Sequence, residues 1–438
     1  MNSREVALNV VNRVLNEGAY SNLVLSKELN QSELSDKDKA LVTELVYGTL
    51  RRKNTLDTII SNFIRDINEM DKEVLNILRI AIYQMHFLDK VPEFAACNEA
   101  VELAKKISDK DAKLVNGILR SYTKNPDDIE VKSGKVNELA YIYSYEDWFI
   151  RMIYKQYGEN LGKKILSGLN QTPKVTVRVN NNKADYDEVY DKLEEMEYNI
   201  EEGYACPEAI IISGGKSVEN NPVFSEGYIT VQDESAMIVA PLLDVKDGDT
   251  VLDLCAAPGG KSTHIAELLN NTGKVLAFDL HENKLSLITE NVERLGLNNV
   301  TVDVMDATKL NSKLIASADS VLIDVPCSGI GIIRKKPEIK WNKTRNSLKE
   351  LVPVQREIMD NAWHYLKSGG TLVYSTCTLN KEENEDNINW FLNKYKDAEI
   401  EKIFLGNMEN FIYNDNGSLT ILPNQYMDGF FVAKLKKK

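Results

Sequence analysis

Along the first 125 residues, apolar side chains recur at intervals of three and four. Leu41, Val42, Leu45 and Val46 fall on one helical face, and Leu75, Leu78, Ile82 and Met85 on the next. Ser35 with Asp38 has the spacing of a capping box, whose side chains satisfy backbone N–H groups left unpaired by the first turn. This stretch reads as an all-helical bundle. A Pro-Asp-Asp break at 126–128 leads into a tyrosine-rich helical segment, ELAYIYSYEDWFIRMIYKQYG. TVRVN, YDEVYDKLEEMEY, EAIIIS and YITVQD then give strand, helix, strand and strand patterns, which predict a small α/β module. Beyond Pro241 the apolar runs VLDL, VLAFDL, VTVDVMD, SVLIDVP and TLVYSTC are separated by helical stretches, two of which begin at Ser262 and Glu282. Short apolar strands alternating with helices predict a mostly parallel sheet covered on both faces. The expected organisation is multidomain: a helical bundle over 1–127, linker helices and the α/β module over 128–238, and an α/β domain over 239–438.

Composition narrows the class without choosing a partner. The 438 residues are 43% apolar and 27% charged, as in an ordinary globular protein. No run of about 18 apolar residues suggests a membrane span, and the N-terminus lacks the pattern of a signal peptide. Five scattered cysteines without a C-x-x-C pair argue against a disulfide framework or a metal site, and for a reducing compartment, the cytoplasm. The net charge of −13 disfavours a polyanion partner, yet residues 1–125 carry 18 basic and 18 acidic side chains and are neutral. A local run, IRKKPEIKWNKTR, holds six basic residues against one acidic. Local patches decide such binding more than the total does.

The loop LCAAPGGKST resembles a phosphate loop at first sight. G-x-x-x-x-G-K-[ST] needs glycine at the position occupied by Cys255, and no G-x-G-x-x-G is present. What remains is a strand, a tight Pro-Gly-Gly turn and a helix start, where a nucleotide-like ligand sits in a doubly wound sheet. The next strand ends in Asp279, at the spacing of a carboxylate that binds ribose hydroxyls. An adenosine-containing ligand without a triphosphate fits, S-adenosylmethionine among them. The loop alone leaves a nucleotide cofactor open as well.

SVLIDVP delivers Asp324 and Cys327 to the end of one strand, and TLVYSTC delivers Cys377 to the end of another. A lone cysteine is most often a small buried hydrophobe, the reading given to Cys97 and Cys206. Two thiols and a carboxylate at neighbouring strand ends have a chemical use. Carbon 5 of cytosine accepts a methyl group only after a thiolate adds at carbon 6, and a carboxyl group at N3 offsets charge on the ring. A second group then removes the carbon-5 proton. The nucleophile must be a thiolate, so the site is expected to depress that cysteine's pKa.

CAAPGGKST, DVPCSG and STCTL together resemble the Sun (Fmu, or RsmB-type) family of RNA cytosine-C5 methyltransferases, with support from TVRVN, VQDESAM, PEIKW and DGFFVAKL. LSDKDKALVTELVYGTLRR, EAVELAKKI and LVNGILR look like the NusB-type RNA-binding domain that precedes the catalytic domain in the bacterial members. The resemblance implies a NusB-like bundle, the small module, and a Rossmann-like methyltransferase domain. It implies that Cys255, Ala256, Ala257, Pro258, Gly259, Gly260 and Lys261 surround the methionine part of S-adenosylmethionine, that Asp279 binds the ribose, and that Asp306 lies beside the adenine. Asp324 would serve both cytosine and methyl donor, Cys377 would be the nucleophile, and Cys327 would assist release. Lys336 stands where members often carry histidine. The implied substrate is one cytosine of 16S ribosomal RNA, acted on before the subunit matures, by a monomer.

Lys261 is expected to orient the loop or touch the donor's carboxylate, Asp253 to brace the loop, and His264 to be structural. Arg334, Lys335, Lys336, Lys340, Lys343 and Arg345 are expected to track the RNA backbone, with Arg178 a further RNA contact. Trp341 either stacks on a base or packs in the core, and Arg51, Arg52 and Lys53 are further candidates for RNA contact. A silent RNA-binding assembly factor, a nucleotide-dependent enzyme and a tRNA-directed methyltransferase are the competing readings. The first has no use for all three of Asp324, Cys327 and Cys377.

Overall fold

Most helices of the N-terminal run start at a side chain able to cap them. In the computed structural model, which describes residues 2–215, 218 and 221–438, Asn2 caps α1 (Ser3–Glu17) and Ser35 caps α3 (Asp36–Ser61), with α2 (Ser21–Gln31) between them. Asp71 caps α4 (Lys72–Phe87), and Ser108 caps α6 (Asp109–Lys124) after α5 (Glu93–Lys105). Each cap oxygen accepts a first-turn N–H, a contact contributing roughly 1 kcal/mol. Val42, Leu45, Val46, Leu75, Leu78 and Ile82 are buried in one core, with Leu41 and Met85 packed against it. Two more helices, α7 (Lys135–Tyr143) and α8 (Asp147–Gly168), cluster with the bundle, although the sequence groups them with the middle module.

The chain forms two compact units, 1–170 with 333–343, and 171–332 with 344–438. The basic run thus contributes a segment to the helical unit, which corrects its expected role. Lys340 is 5% exposed, and its ammonium donates to the carbonyls of Arg51 and Ser144 at 2.9 and 3.0 Å and to Asn170 Oδ1 at 2.6 Å. It also lies 3.8 Å from the Tyr145 ring centroid. Burial, with Arg52 and Arg51 nearby, pulls its pKa well below the usual lysine range. The half-buried Trp341 donates from Nε1 to Leu50 O at 2.8 Å, and Glu338 accepts Ser21 N and Oγ at the start of α2. Arg334 is wholly buried. Neither Arg334 nor Lys340 is available to RNA, because a contact buried within protein cannot also meet phosphate. Lys335 and Lys336 are half-buried, as is Lys343, and Arg345 is exposed.

The second unit holds two sheets. The smaller runs β2-β3-β1-β4, all antiparallel, from β1 (Val175–Val179), β2 (Tyr198–Glu202), β3 (Ala209–Gly214) and β4 (Ile229–Val231), with helix α9 (Tyr186–Glu195) packed on it. Two single-turn helices, α10 (Pro222–Ser225) and α11 (Glu234–Met237), flank β4 in the chain.

The larger sheet has a parallel half, β7-β6-β5-β8-β9, built from β5 (Thr250–Asp253), β6 (Lys274–Asp279), β7 (Val300–Val304), β8 (Ala318–Asp324) and β9 (Leu366–Thr376). Helices α12 (Gly260–Leu268) and α13 (Glu282–Leu295) follow β5 and β6. Short α14 (Ile339–Asn342) lies in the segment belonging to the helical unit, while α15 (Arg345–Tyr365) leads into β9 and α16 (Glu385–Lys394) follows it. The sheet then continues antiparallel through β10 (Ala398–Glu401), β11 (Phe411–Tyr413), β12 (Leu419–Ile421) and β13 (Phe430–Lys437), with β13 against β9. The mostly parallel sheet expected from the pattern is therefore mixed. Apolar clusters cover both faces, with Leu322 and Val373 in one, Ile323 and Tyr374 in the other. No helix of the described residues is long and apolar enough to cross a membrane.

Candidate active site

β5 has β6 on one side and β8 on the other, so chain direction across the sheet reverses at its carboxyl end. Such a switch point opens a crevice. Residues 254–259 turn there from β5 into α12. Asp253, buried, accepts from Ser262 Oγ at 2.6 Å and from Cys255 N at 3.3 Å, which braces the turn from beneath. Asp279, at the end of β6, braces it from the side, accepting Ala257 N at 3.2 Å and His281 N at 3.0 Å. Gly259 has φ +103, and a Cβ there would lie 3.2 Å from Ile288 Cα, so the turn needs glycine on both counts.

Burial pushes the Asp253 carboxyl up to about 6, against a partial offset from the Ser262 hydroxyl. An acid with a raised pKa binds its proton more tightly when folded. Stability is therefore lost as pH rises from about 4 to about 6, by about 3 kcal/mol in all, and the loss is constant above that. Asp253→Asn is expected to remove this slope. Urea unfolding at several pH values measures it, and parallel curves for the two proteins would sink the expectation.

Asp324 closes β8 opposite Ser375 of β9, whose hydroxyl donates to Asp324 Oδ1 at 2.7 Å. Lys261, in the first turn of α12, places its ammonium 2.6 Å from Asp324 Oδ2. Burial alone would depress Lys261, but Asp324 and, next, the Cys377 sulfur outweigh it and raise its pKa. The loops after β8 and β9 bring Cys327 Sγ and Cys377 Sγ to 3.3 Å, both as free, half-buried thiols. The contact with Cys377, then burial, drives the Cys327 thiol well above its ordinary pKa. Cys255 is also pushed well up, by burial and by Asp253, Asp324 and Asp279.

Past β7, Asp306 accepts Thr308 N and Oγ1 at 3.1 and 2.6 Å, and the Thr308 hydroxyl and Lys309 hold its carboxyl below the usual range. Leu280 and Val304, at the ends of β6 and β7, are 56% and 49% exposed and offer an apolar wall beside Asp279. A crevice with an acid at the second strand end and this wall could hold an adenosine group.

Arg178 is 1% exposed, which corrects its expected contact with RNA. Its guanidinium faces Glu267 of α12, at 3.2 and 2.9 Å, as well as Gln232, and donates to Gly260 O at 2.9 Å. It clamps the helix that carries Lys261. His264 is 4% exposed, and burial holds it neutral. Ser375 was not singled out from the sequence; its signal is a hydroxyl two residues before Cys377, on the same face of an apolar strand.

Family models match three stretches of the chain: the NusB family over residues 1–124, the ferredoxin-like domain of RsmF/B-like methyltransferases over 145–219, and the 16S rRNA methyltransferase RsmB/F over 240–436. A Bacillus subtilis (strain 168) protein described as probable ribosomal RNA small subunit methyltransferase B is 39% identical, across 99% of this chain and 98% of its own length. The chain belongs to the RsmB family. The Escherichia coli O1:K1 / APEC ribosomal RNA small subunit methyltransferase B is 34% identical over 100% of this chain and 99% of its own. The crystal structure of NSun6 from Pyrococcus horikoshii with SFG is 25% identical over 68% of this chain and 99% of its own, with a TM-score of 0.59. Like the rest of the RsmB family, the chain is an S-adenosylmethionine-dependent methyltransferase of ribosomal RNA.

Proposed function

We propose that the protein methylates carbon 5 of one cytosine in 16S ribosomal RNA through a transient bond between Cys377 and carbon 6 of the base. The observation that carries this is the pair of sulfurs 3.3 Å apart beside Asp324. Bound S-adenosylmethionine supplies an electrophilic methyl. The backbone of Cys255, Ala256, Ala257, Pro258, Gly259 and Gly260, with Lys261, surrounds its methionine part, Asp279 takes the ribose, and Asp306 stands beside the adenine. Asp324, fixed by Lys261 and Ser375, faces the ring of the cytosine.

Burial and neighbouring groups push Cys255 and Cys327 well above the ordinary thiol range, which disfavours either as the attacking thiolate. Cys377 acts as the nucleophile. Its addition at carbon 6 makes carbon 5 a nucleophile. Once bonded to carbon, the Cys377 sulfur carries no charge and no longer supports the hydrogen bond that raises Cys327. Cys327 then ionises more readily, takes the carbon-5 proton, and the carbon–sulfur bond breaks. A base inside a helix cannot present carbon 6, so the cytosine is single-stranded or flipped out, which favours RNA not yet closed into a mature subunit. Lys335, Lys336, Lys343 and Arg345 are the members of the expected basic run whose burial is incomplete.

The test is transfer of a labelled methyl group to unmodified, protein-free 16S RNA, mapped by bisulfite sequencing. One protected cytosine is expected. Label on another atom overturns the carbon-5 assignment, and transfer to tRNA alone overturns the substrate. In the same assay Cys327→Ala is expected to accumulate a protein–RNA adduct that survives a denaturing gel. A variant that turns over without any adduct removes Cys327 from the release step.

A further inference from the structure

Cys327 and Cys377 are fifty positions apart in the chain and sit on separate loops, yet their sulfurs meet at 3.3 Å. Something must hold the two loops in register. Glu383, fully buried, lies in the turn between β9 and α16. Its Oε2 accepts Ser328 N at 2.9 Å and Gln355 Nε2 at 3.0 Å. Its Oε1 accepts Ser328 Oγ at 2.6 Å and Asn380 Nδ2 at 3.1 Å. Ser328 follows Cys327. Its hydroxyl gives its proton to Glu383, so the Thr378 hydroxyl, 2.7 Å away and next to Cys377, donates to Ser328. Gln355 Nε2 also donates to Pro326 O at 3.0 Å, on the other side of Cys327.

We propose that Glu383 is the positioning residue that sets the separation of the two sulfurs, through Ser328 on one loop and Thr378 on the other. Four donors converge on the two oxygens, and hydrogen bonds to a charged acceptor are shorter and stronger than neutral ones. A buried carboxylate satisfied in this way has one geometry available to it. An uncharged carboxamide of the same shape does not serve, because its NH2 would face donors wherever it turned. The proposal rests on the reading of Cys327 and Cys377 given above only for its effect on turnover; the geometric claim stands apart from it.

Phenylarsine oxide tests that claim directly. Its arsenic bonds two sulfurs that lie close together, releasing its oxygen as water with the two thiol protons. The wild-type protein is expected to bind one equivalent, and Cys327→Ala none. Glu383→Gln is expected to weaken capture by ten-fold or more while KM for S-adenosylmethionine stays unchanged, since no contact of Glu383 reaches the 254–259 turn. The same variant is expected to lower kcat and accumulate the RNA adduct. Adding Asn380→Asp puts an acceptor opposite the new NH2 and keeps one charge in the pocket, so the double variant is expected to recover capture and turnover. Should Glu383→Gln fold poorly, Ser328→Ala removes the hydroxyl that joins Glu383 to Thr378, leaving only the Ser328 N–H on the carboxylate, and is expected to weaken capture. Wild-type capture in a folded Glu383→Gln protein, or in Ser328→Ala, overturns the proposal. Lost capture without adduct supports the positioning role and removes Cys327 from the release step.

Discussion

Cys377→Ala is expected to reduce methyl transfer by at least ~10⁴-fold while leaving cofactor affinity unchanged, because a nucleophile contributes on that scale and nothing nearby replaces it. The two neighbouring thiols are poor substitutes. Cys255 is buried among three carboxylates, and Cys327 loses its hydrogen-bond partner but keeps its burial. The turn proposed to hold the cofactor does not depend on the lost sulfur. It is fixed by Asp253, Asp279 and Arg178, none of which touches Cys377. Titration with S-adenosylhomocysteine alongside single-turnover transfer separates the two quantities. Retained turnover would place the nucleophile elsewhere, and loss of both would mean that the substitution had disturbed the fold.

Arg178→Ala is expected to be the most destabilising single change in the second unit, at about 3–5 kcal/mol. The guanidinium is 1% exposed and its fork meets both oxygens of Glu267, itself 8% exposed. Removing it strands a buried carboxylate and takes one donor from the carbonyl of Gly260 at the start of α12. Lysine is not an adequate replacement, since a single ammonium cannot span Glu267, Gln232 and Gly260 at once. Chemical denaturation measures the loss. The double variant Arg178→Ala/Glu267→Ala is expected to be less destabilised than the sum of the two single changes, because the stranded charge is gone. Additivity would show that the pair is not coupled.

The contrast between these two residues marks what the chain reveals by itself. Cys377 is legible because strand pattern and turn residues are local, and the apolar run before it fixes where the chain emerges. The same logic places Asp324 and Cys327 beside it. Arg178 also sits in a legible strand, but its partner is 89 residues away on a helix. A positive charge looks alike in sequence whether it awaits phosphate or a buried carboxylate. Lys340 misleads for the same reason: six cations in a run suggest a surface, and tertiary packing turns part of that run inward. Glu383 is hidden in NKEEN, which reads as a solvated charged stretch. The antiparallel half of the large sheet escapes because its strands β11 and β12 are three residues long, too short for a period to register.

The segment 333–343 gives the helical unit a schedule as well as a structure. Synthesised at roughly 5–20 residues per second, the chain reaches residue 343 roughly ten to thirty seconds after residue 170. Throughout that interval Ser21 N and the carbonyls of Leu50, Arg51 and Ser144 have only water where Glu338, Trp341 and Lys340 will come to lie. The bundle at the front of the gene is thus finished only after the strand bearing Asp324 and the turn bearing Cys327 have left the ribosome.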